Sequence, residues 1–162
     1  MPVTPADLPH LARRFLGHLR ARPLGPAEQL AAGRMLREPE LSLFWGMARQ
    51  DQRHSFDVAM AVVAAAPSDH ELARAGLLHD VGKRHTTPGA IARSVATLIE
   101  MARLPLPPRY AAYRRHGPIG AAELEAAGAE SIVVDFARHH PGPAPPGVDQ
   151  GRWKILLDAD RA

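Results

Sequence analysis

Apolar positions along this chain recur at helical spacing, and proline and glycine punctuate the segments, so the pattern predicts a series of short helices and no strand. A first helix is expected from Pro5 to about Arg22, with Thr4 as N-cap and Pro5 in its first turn. Pro23, Gly25 and Pro26 end it. Two shorter helices should open at Pro26 and Pro39, the second carrying Leu41, Leu43, Phe44 and Trp45. From Gln52 to Ala66 the stripe Val58, Ala61, Val62 and Ala65 runs back onto His54, four residues before Val58, which turns His54 inward. The next helix, capped by Ser68, has Leu72, Gly76 and His79 on one face, so His79 also projects from the buried side. Gly82 suits its exit. Further helices are expected from Thr87 to about Arg103, Arg109 to Arg115, Pro118 to Ala127, Glu130 to Arg138 and Gln150 to Arg161, with a proline- and glycine-rich loop over Pro141 to Gly147. No internal repeat is visible.

The 162 residues fit one domain large enough to bury its own core. We expect an all-α, compact multi-helix bundle, with residues 1–51 as a helical buttress or lid and residues 52–162 as the functional core. Cysteine is absent, which excludes disulfides and thiolate metal sites and directs interest to the nine histidines. No apolar run approaches the roughly 20 residues that cross a bilayer, and MPVTPADLPH lacks the layout of a signal peptide. A cytoplasmic protein without membrane contact is the expectation. The net charge of +3 is modest and almost all the basic residues are arginine, with Lys83 and Lys154 the only lysines. Pairs such as Arg13-Arg14 and Arg114-Arg115 occur without interleaved aromatics, so a solvated surface is a better reading than a nucleic-acid interface. Phosphate-bearing small molecules fit this charge, and a homo-oligomer is compatible with the sequence.

The candidate chemistry lies in an ordered series: His54, His79-Asp80, His116, His139-His140, and Asp158 or Asp160. One inward histidine is more often a satisfied core residue than a ligand. Several on successive helices are harder to satisfy separately, since each buried imidazole or carboxylate without a partner costs a few kcal/mol. A shared divalent cation satisfies them together. Imidazole and carboxylate suit divalent Mn, Fe, Co, Ni or Zn, with Mg also admissible, and either one or two ions fit the ligand inventory. Such an ion acidifies bound water enough to supply hydroxide near neutral pH, and an ion pair stabilises attacking and leaving oxygens on phosphorus. Lys83 offers a point charge to a phosphate oxygen, and Arg53, Arg84 and His85 are further candidates for phosphate contact. Asp57, near the face of His54, could orient an imidazole or simply face solvent. His10, His18 and His70 carry no motif, and Trp45 and Trp153 read as core or rim aromatics.

These residues resemble the HD-domain metal-dependent phosphohydrolases. Leu77-Leu78-His79-Asp80-Val81-Gly82-Lys83 is similar to the family hallmark, and His54-Ser55-Phe56-Asp57-Val58-Ala59 to its first-histidine motif. His116-Gly117-Pro118-Ile119-Gly120-Ala121 resembles the third motif, Ala137-Arg138-His139-His140 the fourth, and Ile155-Leu156-Leu157-Asp158-Ala159-Asp160 the terminal aspartate motif. The resemblance implies that His54, His79, Asp80 and Asp160 bind a first ion. It implies that Asp80 bridges to a second held by His116 and His140, with His139 an additional ligand candidate. Asp160 is favoured over Asp158 on register. The implied activity is hydrolysis of a small phosphorylated, nucleotide-like substrate, as a phosphomonoesterase, phosphodiesterase or dinucleotide polyphosphate hydrolase. The branch that cleaves cyclic di-GMP is disfavoured, because Pro141-Gly142-Pro143 follows the paired histidines where that branch has an acidic residue. Compact members that act on nucleotides, including diadenosine tetraphosphate, are the better likeness. They usually continue past the aspartate motif, so either the last helix is short here or the substrate contacts usually supplied downstream come from the segment before His54. The alternative is a non-catalytic metal- or nucleotide-binding regulatory module of the same fold.

Overall fold

The computed structural model describes residues 22–85 and 115–162, which contain α-helices, one 3₁₀ turn and no strand. The helices expected from Pro5, Thr87 and Arg109, together with His10 and His18, lie outside the described residues.

Helix α1 (Pro26–Met35) opens where Pro26 needs no donor partner, and the Glu28 carboxylate accepts the Gly25 N–H at 2.7 Å. In α2 (Glu38–Trp45) Glu40 reaches back to the Arg37 N–H at 2.8 Å in the same way, so the helix starts one residue before Pro39. Helix α3 (Arg49–Ala65) begins earlier than the apolar pattern indicated, because the Ala48 carbonyl already accepts the Asp51 and Gln52 N–H groups. Its buried seam is also rotated. Ser55, Ala59 and Val62 face inward, whereas Ala61 is half-buried and Ala65 exposed. The seam is set by α4 (His70–Leu78), whose Gly76 brings the helices so close that a Cβ there would stand 3.0 Å from Ala59 Cα.

Helix α4 is capped by Asp69 rather than Ser68. Asp69 Oδ1 accepts the Leu72 N–H at 3.0 Å, and both Asp69 oxygens take Arg152 at 2.8 Å, a bidentate pair that the Ser68 hydroxyl has no means of forming. Every residue from Leu72 to Asp80 is buried, so α4 is the central helix, contacting α1, α2, α3, α6 (Ser131–His139) and α7 (Gln150–Arg161). Its one buried cation, Arg74, pairs with Glu40 of α2 and Glu130 at the start of α6.

After α4 the chain forms the 3₁₀ turn Val81–His85, packed on α5 (His116–Ala126). Gly82 is required here for a different reason than a left-handed helix exit. Its φ is not positive, but a Cβ on it would overlap the His116 carbonyl oxygen and stand 2.7 Å from the Gly120 nitrogen. The turn and the start of α5 therefore meet backbone to backbone. Loop 141–147 is pinned by Trp153, whose indole N–H donates to the Gly142 carbonyl at 3.1 Å and whose ring meets Phe136 edge-on at 5.3 Å. Among the described residues no helix is long and apolar enough to cross a membrane.

Candidate metal centre

The close approaches at Gly76 and Gly82 bring the ends of α4, α5, α6 and α7 to the middle of α3. His79 is the C-cap of α4. Its Nδ1–H donates to the Gly76 carbonyl at 2.9 Å, satisfying a helix-end acceptor and turning Nε2 inward. His140, the C-cap of α6, repeats the device: its Nδ1–H donates to the Phe136 carbonyl at 2.9 Å. Phe136 lies behind both rings, with centroids 5.8 Å from His79 and 5.3 Å from His140. With Nδ1 committed as donor, each neutral imidazole presents an Nε2 lone pair to the centre.

Those nitrogens face two carboxylates. His54 Nε2 lies 3.1 Å and His79 Nε2 3.4 Å from Asp160 Oδ1. On the other side, Asp80 Oδ2 is 3.4 Å from His79 Nε2, while Asp80 Oδ1 is 3.4 Å from His140 Nε2 and 3.6 Å from His116 Nε2. Ligand bonds of about 2.1 Å in a tetrahedral site place donor atoms about 3.4 Å apart. The observed spacings match that separation better than they match direct hydrogen bonds. Two overlapping triads, His54/His79/Asp160 and His79/Asp80/His140, each have donor atoms within 4.8 Å of one another. The fully buried His79 Nε2 and Asp80 Oδ1 make no hydrogen bond among the described residues. Such orphaned atoms in a protein interior call for a partner, and a cation between them would supply one, so the residues fit a divalent ion.

The electrostatics agree. Burial alone would push the Asp80 carboxyl up, but the Lys83 ammonium and the imidazoles hold it well below the usual range. Burial likewise acts against the Asp160 carboxylate, and the nearby His54 and His79 imidazoles overcome it. His79 is pushed down by burial, yet Asp80 and Asp160 outweigh this and raise it to about 10. The centre is thus carboxylate-rich and holds positive charge, a proton or an ion.

Several expected contributors lie elsewhere. His139 is exposed. Asp158 is exposed and paired with Lys154 at 2.5 Å, so of the two aspartates it is Asp160 that meets the histidines. Arg53 does not face the cluster: its guanidinium is filled by Glu28, Asp57 and the carbonyls of Arg22 and Pro23, clamping α1 to α3. Asp57 accordingly serves Arg53. Arg84 and His85 turn to Glu123 of α5. Lys83 alone of the basic candidates sits at the centre, its ammonium bound to Asp80 Oδ2. Sequence reasoning missed Phe136 and Glu123, although the placement of Phe136 four residues before His140 was a readable signal.

Fold and site together define an all-α helical bundle with a buried His/Asp cluster spaced to hold a metal ion. No family model, curated protein or solved structure matches the chain.

Proposed function

We propose that this protein is a metal-dependent phosphohydrolase of the HD-domain superfamily, acting on a small phosphorylated, nucleotide-like molecule. One observation carries the reading: His54, His79, Asp80, His116, His140 and Asp160, drawn from five separate segments, converge with donor atoms 3.1–3.6 Å apart. His54, His79, Asp80 and Asp160 would hold one ion, and Asp80, His116 and His140 a second. Ions bound there supply an acidified water at neutral pH and neutralise charge on phosphoryl oxygens.

The chain's own groups do the rest. The Gly76 and Phe136 carbonyls fix the tautomers of His79 and His140 before any ion arrives, so little reorganisation is needed on binding. Phe136 excludes water from behind the two rings. Lys83 brings a compact positive charge to the edge of Asp80, where it can hold a phosphate oxygen.

The test is metal analysis of the purified protein, with turnover measured on phosphomonoesters, phosphodiesters and dinucleotide polyphosphates in Mn²⁺, Co²⁺, Ni²⁺ or Mg²⁺. His79→Ala and Asp80→Ala should each lose bound metal and hydrolysis. Survival of both properties in either variant would end the proposal.

A further inference from the structure

The turn that presents Asp80 and Lys83 is weakly held by its own bonds. It is a 3₁₀ segment closed by the Lys83 N–H donating to the Asp80 carbonyl at 2.9 Å, and 3₁₀ geometry is poor. Where the turn meets α5 the closest approach is backbone on backbone, Gly82 against Gly120 and the His116 carbonyl, with the Val81 side chain also lying at Gly120. The glycine permits the approach but contributes no side chain to it. A charged contact farther along the turn adds a directional lock.

Glu123 is placed to do so. It lies seven residues after His116, two turns along the same face of α5. One of its oxygens, Oε1, takes the Arg84 guanidinium and also lies 2.6 Å from His85 Nε2. Both residues belong to the turn and directly follow Lys83. The carboxylate is three-quarters buried, and its Oε2 makes no hydrogen bond among the described residues. Arg84 and His85 therefore hold its charge in place, burial acting against the carboxylate and Arg84 more than offsetting it.

We infer that Glu123 is a positioning residue: by gripping Arg84 and His85 it fixes the Val81–His85 turn on α5 and so sets Asp80 and Lys83 relative to His116. This deepens the metal-dependent reading and rests on it. The clamp acts on the Asp80/His116/His140 half of the centre. Asp80 is shared with the other half, but that half's remaining ligands, His54, His79 and Asp160, are carried by α3, α4 and α7.

The experiment compares the full chain with Glu123→Gln and Arg84→Gln, each of which removes the charged clamp, and with Glu125→Gln, also on α5, which breaks an exposed pair to Arg138 of α6. Mn²⁺ is titrated calorimetrically, and amide exchange is followed at residues 82–85. Partners of this kind change metal affinity by about 10–100-fold. Glu123→Gln and Arg84→Gln should weaken the Asp80/His116/His140 Mn²⁺ site by that factor, weaken the other less, and speed exchange in the turn about 10-fold. Glu125→Gln should match wild type. Loading like wild type, or equal weakening of both half-sites, overturns the inference. If wild type takes up no Mn²⁺, the phosphohydrolase reading fails while exchange still decides the clamp: faster exchange in both variants upholds it, and unchanged exchange overturns it.

Discussion

The backbone contact at Gly82 makes a sharp prediction for Gly82→Ala. A Cβ there would overlap the His116 carbonyl oxygen and sit 2.7 Å from the Gly120 nitrogen and 2.8 Å from the His116 carbonyl carbon. All three are backbone atoms, so no flexible side chain can swing away. Restoring ordinary contact of about 3.5 Å requires the start of α5 to retreat by roughly 1.5 Å. His116 Nε2 already stands 3.6 Å from Asp80 Oδ1, and further retreat takes the pair beyond the reach of one shared ion. Overpacking of this kind costs about 1–3 kcal/mol. At this chain length that lowers Tm by about 2–12 °C. The control is Gly33→Ala inside α1, where an added Cβ meets nothing within 4 Å. There the same substitution should stabilise by about 0.5–1 kcal/mol, the ordinary gain over glycine in a helix. Scanning calorimetry and Mn²⁺ titration on the two variants read out both signs. A Gly82→Ala protein that melts at or above wild type, or binds Mn²⁺ unchanged, would refute the packing argument.

Other consequences are open to direct measurement. Lys83→Met keeps the length and removes the charge. A charged hydrogen bond is worth about 1.5–3 kcal/mol, so turnover should fall about 10–100-fold with metal content intact, and wild-type turnover would exclude a phosphate role. The Arg53 and Gly25 N–H groups lower Glu28 from its ordinary 4.5 to about 2. A depressed carboxyl stabilises fully above the unfolded value and loses that contribution as pH falls through 4.5 towards 2. The Tm difference between wild type and Arg53→Gln should therefore hold steady from pH 7 to 5 and shrink below 4.5, as thermal melts across that range will show; a difference that stayed constant to pH 2.5 would contradict the clamp. Chelation should lower Tm, and Mn²⁺ at about 100 times its Kd should restore about 2.7 kcal/mol. Identical melts with EDTA and with Mn²⁺ would argue against a bound ion.

The helices were legible where local chemistry decides them, and obscure where distant residues do. Pro26 and the carboxylate two residues on mark α1 from the sequence alone. The choice between Ser68 and Asp69 as cap of α4 depends on Arg152, far along the chain and visible only once folded. The buried seam of α3 was misread because Ala59, Ala61 and Ala65 are the same residue and hydropathy does not tell them apart; the glycine opposite selects Ala59. Gly82 shows a second ambiguity, since a left-handed exit and a close backbone approach both demand glycine. Register was enough to set Asp160 among the histidines and leave Asp158 with Lys154. It gave no guide to Arg53 and Arg84, whose long side chains settle on whichever carboxylates the fold brings near.

Two buried polar groups in this bundle differ in a way that bears on the site. Arg74 enters the core with Glu40 and Glu130 around it, and the Arg37 guanidinium also reaches Glu130, so cations and carboxylates there are supplied by the chain. Both clusters keep buried atoms without hydrogen bonds among the described residues, but around His79 and Asp80, each 1 % exposed, the carboxylates of Asp80 and Asp160 face four imidazoles and Lys83. Among the described residues Asp80 has Lys83 on one oxygen, while Oδ1 and the His79 Nε2 lack hydrogen bonds. Each orphaned atom costs about 1–3 kcal/mol, and an apolar pair in their place would remove that cost. A positive charge at the centre, beside the fully buried Leu77, Leu78 and Val81, would offset that cost. A proton on His79 can do this, and so can a divalent cation. The cation alone also engages His54, His116 and His140 through nitrogens held 3.1–3.6 Å from the carboxylates. A proton needs one such nitrogen, whereas the chain converges four, and that surplus is the strongest physical reason to regard the centre as built for metal.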